Sequence, residues 1–436
     1  MKKIITAFAL VLSLSFTSCK SYFDINVDPN APSEEALTTS LMLPAVEMSL
    51  AASYGDYLRI TGGYFAQQYA QYFGTSNYLD YSKFTMSSTR SDGTYTQLYQ
   101  KCILNSYSVS EKAIAENDFG TNLAATVLRV YAYQALVDCY GEVPYSEAID
   151  ASNLTPKYDE GKDVYAGILN ELDEALALAT PSMSVAKNFL FPNQSASCWI
   201  EFANALKLRI LMRESKKVDV KSQLQALIAE DNFPVADVAF EGCWAEAAGK
   251  ESPFWAEEFS TLGGSTQKNV VANIALVGTM QQPGYTDGRL AAFFNPNKSG
   301  NFTGAVSGTN FSKSKSFKAD YWCQPVASYD MPVYLMTLSE IEFFKAEYEA
   351  RYGTAAKAKA AYEEAIKASF ESAGADGADA CIAKFPFDDG NYEKCIGLQK
   401  WLALSGTDPF EAYCELRRLG YPEMSNVKGD DFYYDL

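Results

Sequence analysis

Residues 338 to 371 read LSEIEFFKAEYEARYGTAAKAKAAYEEAIKASFE. Ile341, Phe344, Tyr348 and Tyr352 recur on one helical stripe, and Gly353 interrupts the pattern. Ala361, Tyr362 and Ala365 then mark the inner face of a second helix. Two amphipathic helices around so short a break can bury their apolar stripes only by folding back on each other. The small residues let the two backbones approach closely. The pattern predicts an antiparallel pair resembling a tetratricopeptide (TPR) unit. Residues 122 to 139 form another strong helix, stopped by Gly141 and Pro144. Residues 163 to 179 place Tyr165, Ile168, Leu169, Leu172, Ala175, Leu176 and Ala179 on one stripe, which suggests a second pair with an enlarged connection. Residues 197 to 214 carry Trp199, Phe202, Ala203, Leu206 and Ile210 on one face and Arg209 and Arg213 on another. No strict period links these segments, so they predict a TPR-like scaffold rather than a regular solenoid.

The remaining chain is less regular. Residues 35 to 73 are helical in pattern, with breaks expected near Pro44 and Gly62-Gly63. Residues 74 to 93 are loop-rich, 94 to 116 helical, and 392 to 418 read as one last helix. From 235 to 335 the chain turns irregular and rich in Gly, Ser, Asn and aromatics, with SGNFTGAVSGTNFSKSKSF (299 to 317) as hairpin or loop. The fold class expected is mainly α. TPR-like pairs, chiefly within 122–214 and 338–371, pack against the irregular 235–335 part with a few short strands. Residues 35–436 make one domain.

The first residues, MKKIITAFALVLSLSFTSC, combine Lys2 and Lys3 with an apolar stretch from Ile4 to Phe16 and small residues before Cys19. That stretch is shorter than the roughly 20 residues a spanning helix needs, and it reads as a secretory signal. A cysteine at the cut site resembles a bacterial lipobox. Residues 1–18 are then the signal, Cys19 the lipidated residue, and 19–34 an extended tether and arm. The chain carries 54 acidic and 36 basic residues, a net charge of −18, and no basic stripe. Nucleic acid is therefore excluded as a partner. It has no histidine, which removes Ser-His-Asp and Cys-His catalysis and HExxH zinc chemistry. No CxxC occurs, and the cysteines after Cys19 read mostly as buried free thiols. GCWAEAAGK (242 to 250) is no phosphate loop, and no GxSxG elbow appears. No cofactor is expected. DGADACIAKF and DDGN do not complete an EF-hand, and calcium held by carboxylates and carbonyls is left open. Arg209, Arg213, Arg417 and Arg418 are expected to pair with Glu340, Glu342 or Glu411 across helices.

Several stretches taken together resemble one family. They are TSC followed by YFDINVDPNAPS, YAYQALVDCYGEVPYSEAI (131 to 149), CWIEFANALKLRILMR (198 to 213), YDMPVYLMTLSEIEFFKAEYEARYG (329 to 353) and QKWLALSGTDPFEAYCELRRLGYP (399 to 422). They are similar, across nearly the whole mature chain and in order, to the SusD/RagB family of Bacteroidetes outer-membrane lipoproteins, closest to its SusD-like branch. The resemblance implies a lipid-anchored, cell-surface protein without catalytic residues. It implies capture of an oligosaccharide, or in some members a peptide, for a SusC-like TonB-dependent transporter that the protein covers as a lid. A glycoside hydrolase is the reading from another class and would need a carboxylate pair roughly 5–9.5 Å apart.

In the family the sugar site is a shallow surface of rings from loops after the early helices and from the irregular half. The matching loop here lies in AQYFGTSNYLDYSKF (70 to 84). The resemblance points to Tyr78 and Tyr81, with Asn77 and Asp80 as polar neighbours, and to Trp255, Tyr285, Tyr321 and Trp322 in the irregular half. Sugar C–H faces stack on flat rings, while amides and carboxylates take hydroxyl hydrogen bonds. The loop lacks the tryptophan frequent at such a position, which departs from a starch-binding pattern.

Overall fold

The computed structural model describes residues 37–72, 75–149, 152–192, 195–262, 268–308 and 321–424. The signal, the 19–34 tether with Cys19, and the later part of the 299–317 stretch lie outside the described residues.

The first helices carry no side-chain cap at their N-termini. Helix α1 spans Thr39–Ala52, a wider π-type turn spans Ser53–Tyr57, and α2 spans Leu58–Phe65. The expected breaks at Pro44 and Gly62-Gly63 do not occur, since both lie inside helices. The glycines serve close approach instead. A Cβ on Gly62 would lie 2.3 Å from the backbone of Phe410, and one on Gly63 2.2 Å from the Tyr69 ring. Strand β1 (Tyr69–Gln71) follows, then short helices α3 (Leu79–Ser82) and α4 (Asp92–Tyr95), a second π-type segment (Thr96–Ile103) and α5 (Leu104–Ala115).

Helix α6 (Phe119–Tyr140) is the centre of the main core, buried continuously from Gly120 to Val137. Its residues are apolar nearly all round because neighbours cover it on every side. These are α5, α7 (Gly161–Leu178) and α8 (Ala196–Glu214). Asp118 caps it by accepting the Thr121 N–H, and Gly141, at φ 78°, ends it. Helix α9 (Lys221–Glu230) completes this half.

Later come β2 (Val238–Phe240), α10 (Pro253–Glu258), β3 (Val270–Ala272), α11 (Ile274–Met280), β4 (Gln281–Gln282), β5 (Tyr285–Thr286), α12 (Arg289–Phe293), β6 (Phe294–Asn295), β7 (Gln324–Pro325) and β8 (Val333–Met336). They pair as four antiparallel two-stranded ladders among the described residues: β1–β3, β2–β8, β4–β5 and β6–β7. The expected hairpin of helices then appears as α13 (Leu338–Tyr352) and α14 (Ala355–Ser372), capped by Thr337 and Thr354. α13 is buried on two faces. Phe343 and Ala346 join Tyr362, Ala365, Ile366 and Phe370 of α14, whereas Ile341 and Phe344 face the main core. Short α15 (Ala378–Lys384) leads to the C-terminal part. The single helix expected over 392–418 is two, α16 (Tyr392–Leu404) and α17 (Pro409–Leu419). Asp408 caps α17 and Pro409 opens it, the combination that starts a helix.

Buried ion pairs tie these helices together. Both Arg209 and Glu340 are 1% exposed, and the guanidinium makes a two-point contact at 2.7 Å on each arm. Arg213 reaches Glu411, Glu415 and Asp138. Arg418 pairs with Glu347 and Glu415 rather than with the glutamates expected, Arg417 donates to the Asp138 carbonyl, and Glu342 pairs with Lys345. None of the eight described cysteines forms a disulfide, and Cys102, Cys323, Cys381 and Cys414 are buried. No described helix is long and apolar enough to cross a membrane.

Candidate functional site

The β1–β3 ladder organises one face of the irregular half. Tyr69, Ala70 and Gln71 pair with Ala272, Val271 and Val270. Three connections leave from its ends. The turn after β1 carries residues 75 to 93. Before β3, Asn269 is held by α10, its backbone N–H and side-chain amide both donating to Glu258. Beyond β3, the Ala272 N–H donates to the Cys323 carbonyl at 2.8 Å and the Ala305 N–H to the Ala272 carbonyl at 2.8 Å. The Gly308 N–H closes the circuit onto Ser82 Oγ at 2.8 Å. Tyr78 and Tyr81 pack on the Tyr69, Val270 and Ala272 side of the ladder, whereas Trp322 and Tyr321 pack with Ala70 and Val271 on its other side, and Tyr285 lies away from both.

Their exposure differs from what a polar loop implies. Tyr78 and Tyr81 are only 8% and 6% exposed. Gln71 reaches across the turn, its Oε1 accepting the Tyr78 N–H at 2.8 Å, and this seats the Tyr78 ring inward. Both rings pack on Tyr64, with centroids 5.6 and 6.1 Å away, and meet each other edge to face at 5.8 Å. The Arg90 guanidinium lies over both rings, 5.7 Å from Tyr78 and 5.0 Å from Tyr81, while pairing with Asp80 at 3.2 Å and donating to the Asn77 carbonyl. Asn77 is exposed and Asp80 half-buried, so the polar rim of this turn faces solvent while its rings are core. Trp322 is also core, 3% exposed, with half-buried Tyr321 edge-on at 5.8 Å. Half-buried Trp255 stacks on Phe259 at 5.7 Å and donates its Nε1–H to Glu251 at 2.9 Å. Tyr285 belongs elsewhere. Its hydroxyl donates to Asp287 and its ring meets Phe385 edge to face, beside α15.

Sequence reasoning missed Tyr57, Asp56 and Arg90. Tyr57 is 41% exposed and lies under Gly93, where a Cβ would be 3.2 Å from its ring. It sits in the π-type turn, a distortion that often marks functional positions. The signal was a polar SYGDY run inside an apolar helix. Asp56 is pushed up to about 8 by burial, then by Glu257 and Glu258. Glu258 is raised by burial, against the hydrogen bonds from Asn269 and Tyr78 that hold it down. The face therefore offers a ring with an open side, a tryptophan edge, an exposed amide, carboxylates and one guanidinium. That set can stack on and hydrogen-bond a polyhydroxyl ligand.

A metal is not favoured by the chemistry of the remaining cluster. Asp138, Glu411 and Cys414 bring ligand atoms within 4.8 Å of one another. Arg213 already sits among them, 3.4 Å from Asp138 and bonded to Glu411. A guanidinium neutralises these carboxylates, so the group reads as part of the ion-pair network.

A family model described as "Starch-binding associating with outer membrane", SusD-like, matches residues 29–432. The chain belongs to the SusD/RagB family. Solved SusD-like structures share its fold. A chitin-binding protein superposes with a TM-score of 0.74 at 22% identity, covering 88% of this chain and 87% of that one. A SusD homolog from Bacteroides uniformis gives 0.71 at 22% identity, covering 88% and 87%. Another from Bacteroides fragilis gives 0.72 at 21% identity, covering 89% and 88%. The curated proteins contain no match to this SusD-like chain.

Proposed function

We propose that this protein captures an oligosaccharide at the β1–β3 face and delivers it to a SusC-like TonB-dependent transporter, over which it acts as a lid. Residues 35–436 work as one binding domain, held at the cell surface of the outer membrane by lipid on Cys19. The reading assigns binding and no bond cleavage. Its main support is the family match over 29–432, with its starch-binding and outer-membrane description. The geometry adds a polar rim of Asn77, Asp80, Asp56 and Glu257 beside the open Tyr57 ring. Tyr78 and Tyr81 shape this face from beneath, while Tyr57, Trp255, Asn77 and Asp80 meet the ligand; Tyr321 and Trp322 lie on the other side of the ladder. The missing tryptophan in the 70–84 loop favours a glycan other than starch.

Isothermal titration against host, plant and fungal oligosaccharides tests the proposal. Saturable binding of at least one glycan without turnover is expected. Binding of peptides alone, or release of sugar from the glycan, would overturn it.

A further inference from the structure

We propose that the glycan-binding surface continues from Tyr57 across helix α4 to Tyr95 and Tyr158, so that the ligand is an extended chain of several sugars rather than a monosaccharide or disaccharide. This inference rests on the oligosaccharide reading of the β1–β3 face and deepens it. Three aromatic rings are largely exposed among the described residues: Tyr57, Phe84 and Tyr158, the last at 63%. Two of the three flank one short helix. The Tyr57 ring lies against Gly93, where a Cβ would come within 3.2 Å of it. On the other side Tyr158 places its hydroxyl beside that of Tyr95.

The geometry of α4 fixes the route between these rings. In a helix of about 3.6 residues per turn, Asp92 projects between Gly93 and Tyr95, and Thr94 projects from the opposite side. Thr94 is buried and Asp92 is exposed, so the side that joins Tyr57 to Tyr95 faces solvent. Asp92 offers carboxylate oxygens midway along this route, where sugar hydroxyls can donate to them. With its side chains a helix is about 10 Å across, more than one sugar ring spans.

The far end of the route is firmly mounted. Half-buried Tyr95 stacks on Tyr99 at 5.2 Å and meets Tyr140 edge to face at 5.7 Å. The Tyr140 hydroxyl donates to the Ser91 carbonyl at 3.0 Å, just ahead of α4. Tyr158 precedes Asp159, whose backbone N–H donates to the Val143 carbonyl at 2.9 Å and whose carbonyl accepts the Val143 N–H at 3.2 Å. The Asp159 carboxylate also accepts the Tyr145 and Ser146 N–H groups, at 3.1 and 2.8 Å. A ring on backbone fixed in this way loses little freedom when a ligand stacks on it. Exposed rings separated by a carboxylate match the C–H faces and hydroxyls that alternate along a sugar chain.

The test is calorimetric titration with disaccharides, tetrasaccharides and hexasaccharides of cellulose, xylan, mannan, chitin, amylose and poly-N-acetyllactosamine. For the oligomer series that binds, the hexasaccharide should bind the parent protein at least about tenfold tighter than the disaccharide. In Tyr158→Ala that advantage should fall below about threefold, with an unchanged melting temperature because the ring is exposed. Tyr158→Phe, which keeps the stacking ring, should retain most of it. Tyr57→Ala should weaken the disaccharide and the hexasaccharide alike. Affinity independent of chain length, or a hexasaccharide advantage that survives Tyr158→Ala, would overturn the extension while leaving the β1–β3 reading in place. Binding unaffected by Tyr57→Ala, or no binding of any oligomer, would sink the β1–β3 reading and the extension with it.

Discussion

Tyr57 and Tyr78 separate two roles for aromatic side chains in one small region. Tyr57 is 41% exposed and holds up little. Tyr57→Ala is expected to weaken glycan binding about tenfold, with a stability change under roughly 1 kcal/mol by thermal melting. Tyr78, 8% exposed and packed on Tyr64 and Tyr81, is the opposite case. Tyr78→Ala is expected to cost about 2–4 kcal/mol in denaturant unfolding, because it empties a core site. Asp56 gives a pH signature. Burial raises its folded-state pKa to about 8, well above the ordinary aspartate range, so the folded protein keeps a proton that the unfolded chain releases at lower pH. Its contribution is complete below about pH 4 and is lost as pH rises through 8. Asp56→Asn should therefore flatten the fall in melting temperature between pH 5 and pH 8 relative to the parent protein. An identical fall in both would remove Asp56 as the cause. The turn's mixture of rings and amides was legible in AQYFGTSNYLDYSKF. The burial of its rings was not, because Tyr64, Glu258 and Asn269, which cover and hold them, are contributed by other segments.

At the scale of elements, the 3.6-residue period located α6, α7, α8, α13 and α14 within a few residues, because each has an apolar stripe and an interpretable stop. Gly62-Gly63 misled for a physical reason. Two adjacent glycines signal a break when only local preference counts, but here they admit the Phe410 backbone and the Tyr69 ring. Gly62→Ala should destabilise by about 3 kcal/mol or more, read by urea unfolding, since its Cβ meets backbone that cannot swing aside. The division of 392–418 was readable in Asp408-Pro409, a cap followed by a first-turn proline, although the continuous apolar pattern obscured it.

Over the whole molecule, the central helix α8 and the C-terminal helices α16 and α17 meet through buried charge as well as apolar packing. Glu411 and Glu415 of α17 face Arg213 of α8, and Glu415 also takes Lys400 of α16 and Arg418. Sequence alone showed arginines and glutamates on helix faces, and some partners were predicted correctly. The sharing of Glu415 among three cations depends on three helices converging, which no local pattern encodes. Arg213→Met should cost about 3–5 kcal/mol and broaden unfolding, because three buried carboxylates lose their shared cation. The central claim concerns where ligand meets this scaffold. Its most direct test is isothermal titration of the best-binding oligosaccharide against the parent protein and a Tyr57→Ala, Trp255→Ala double variant that melts at the same temperature. The account expects at least a hundredfold loss of affinity in the variant. Unchanged affinity in a folded double variant would contradict it.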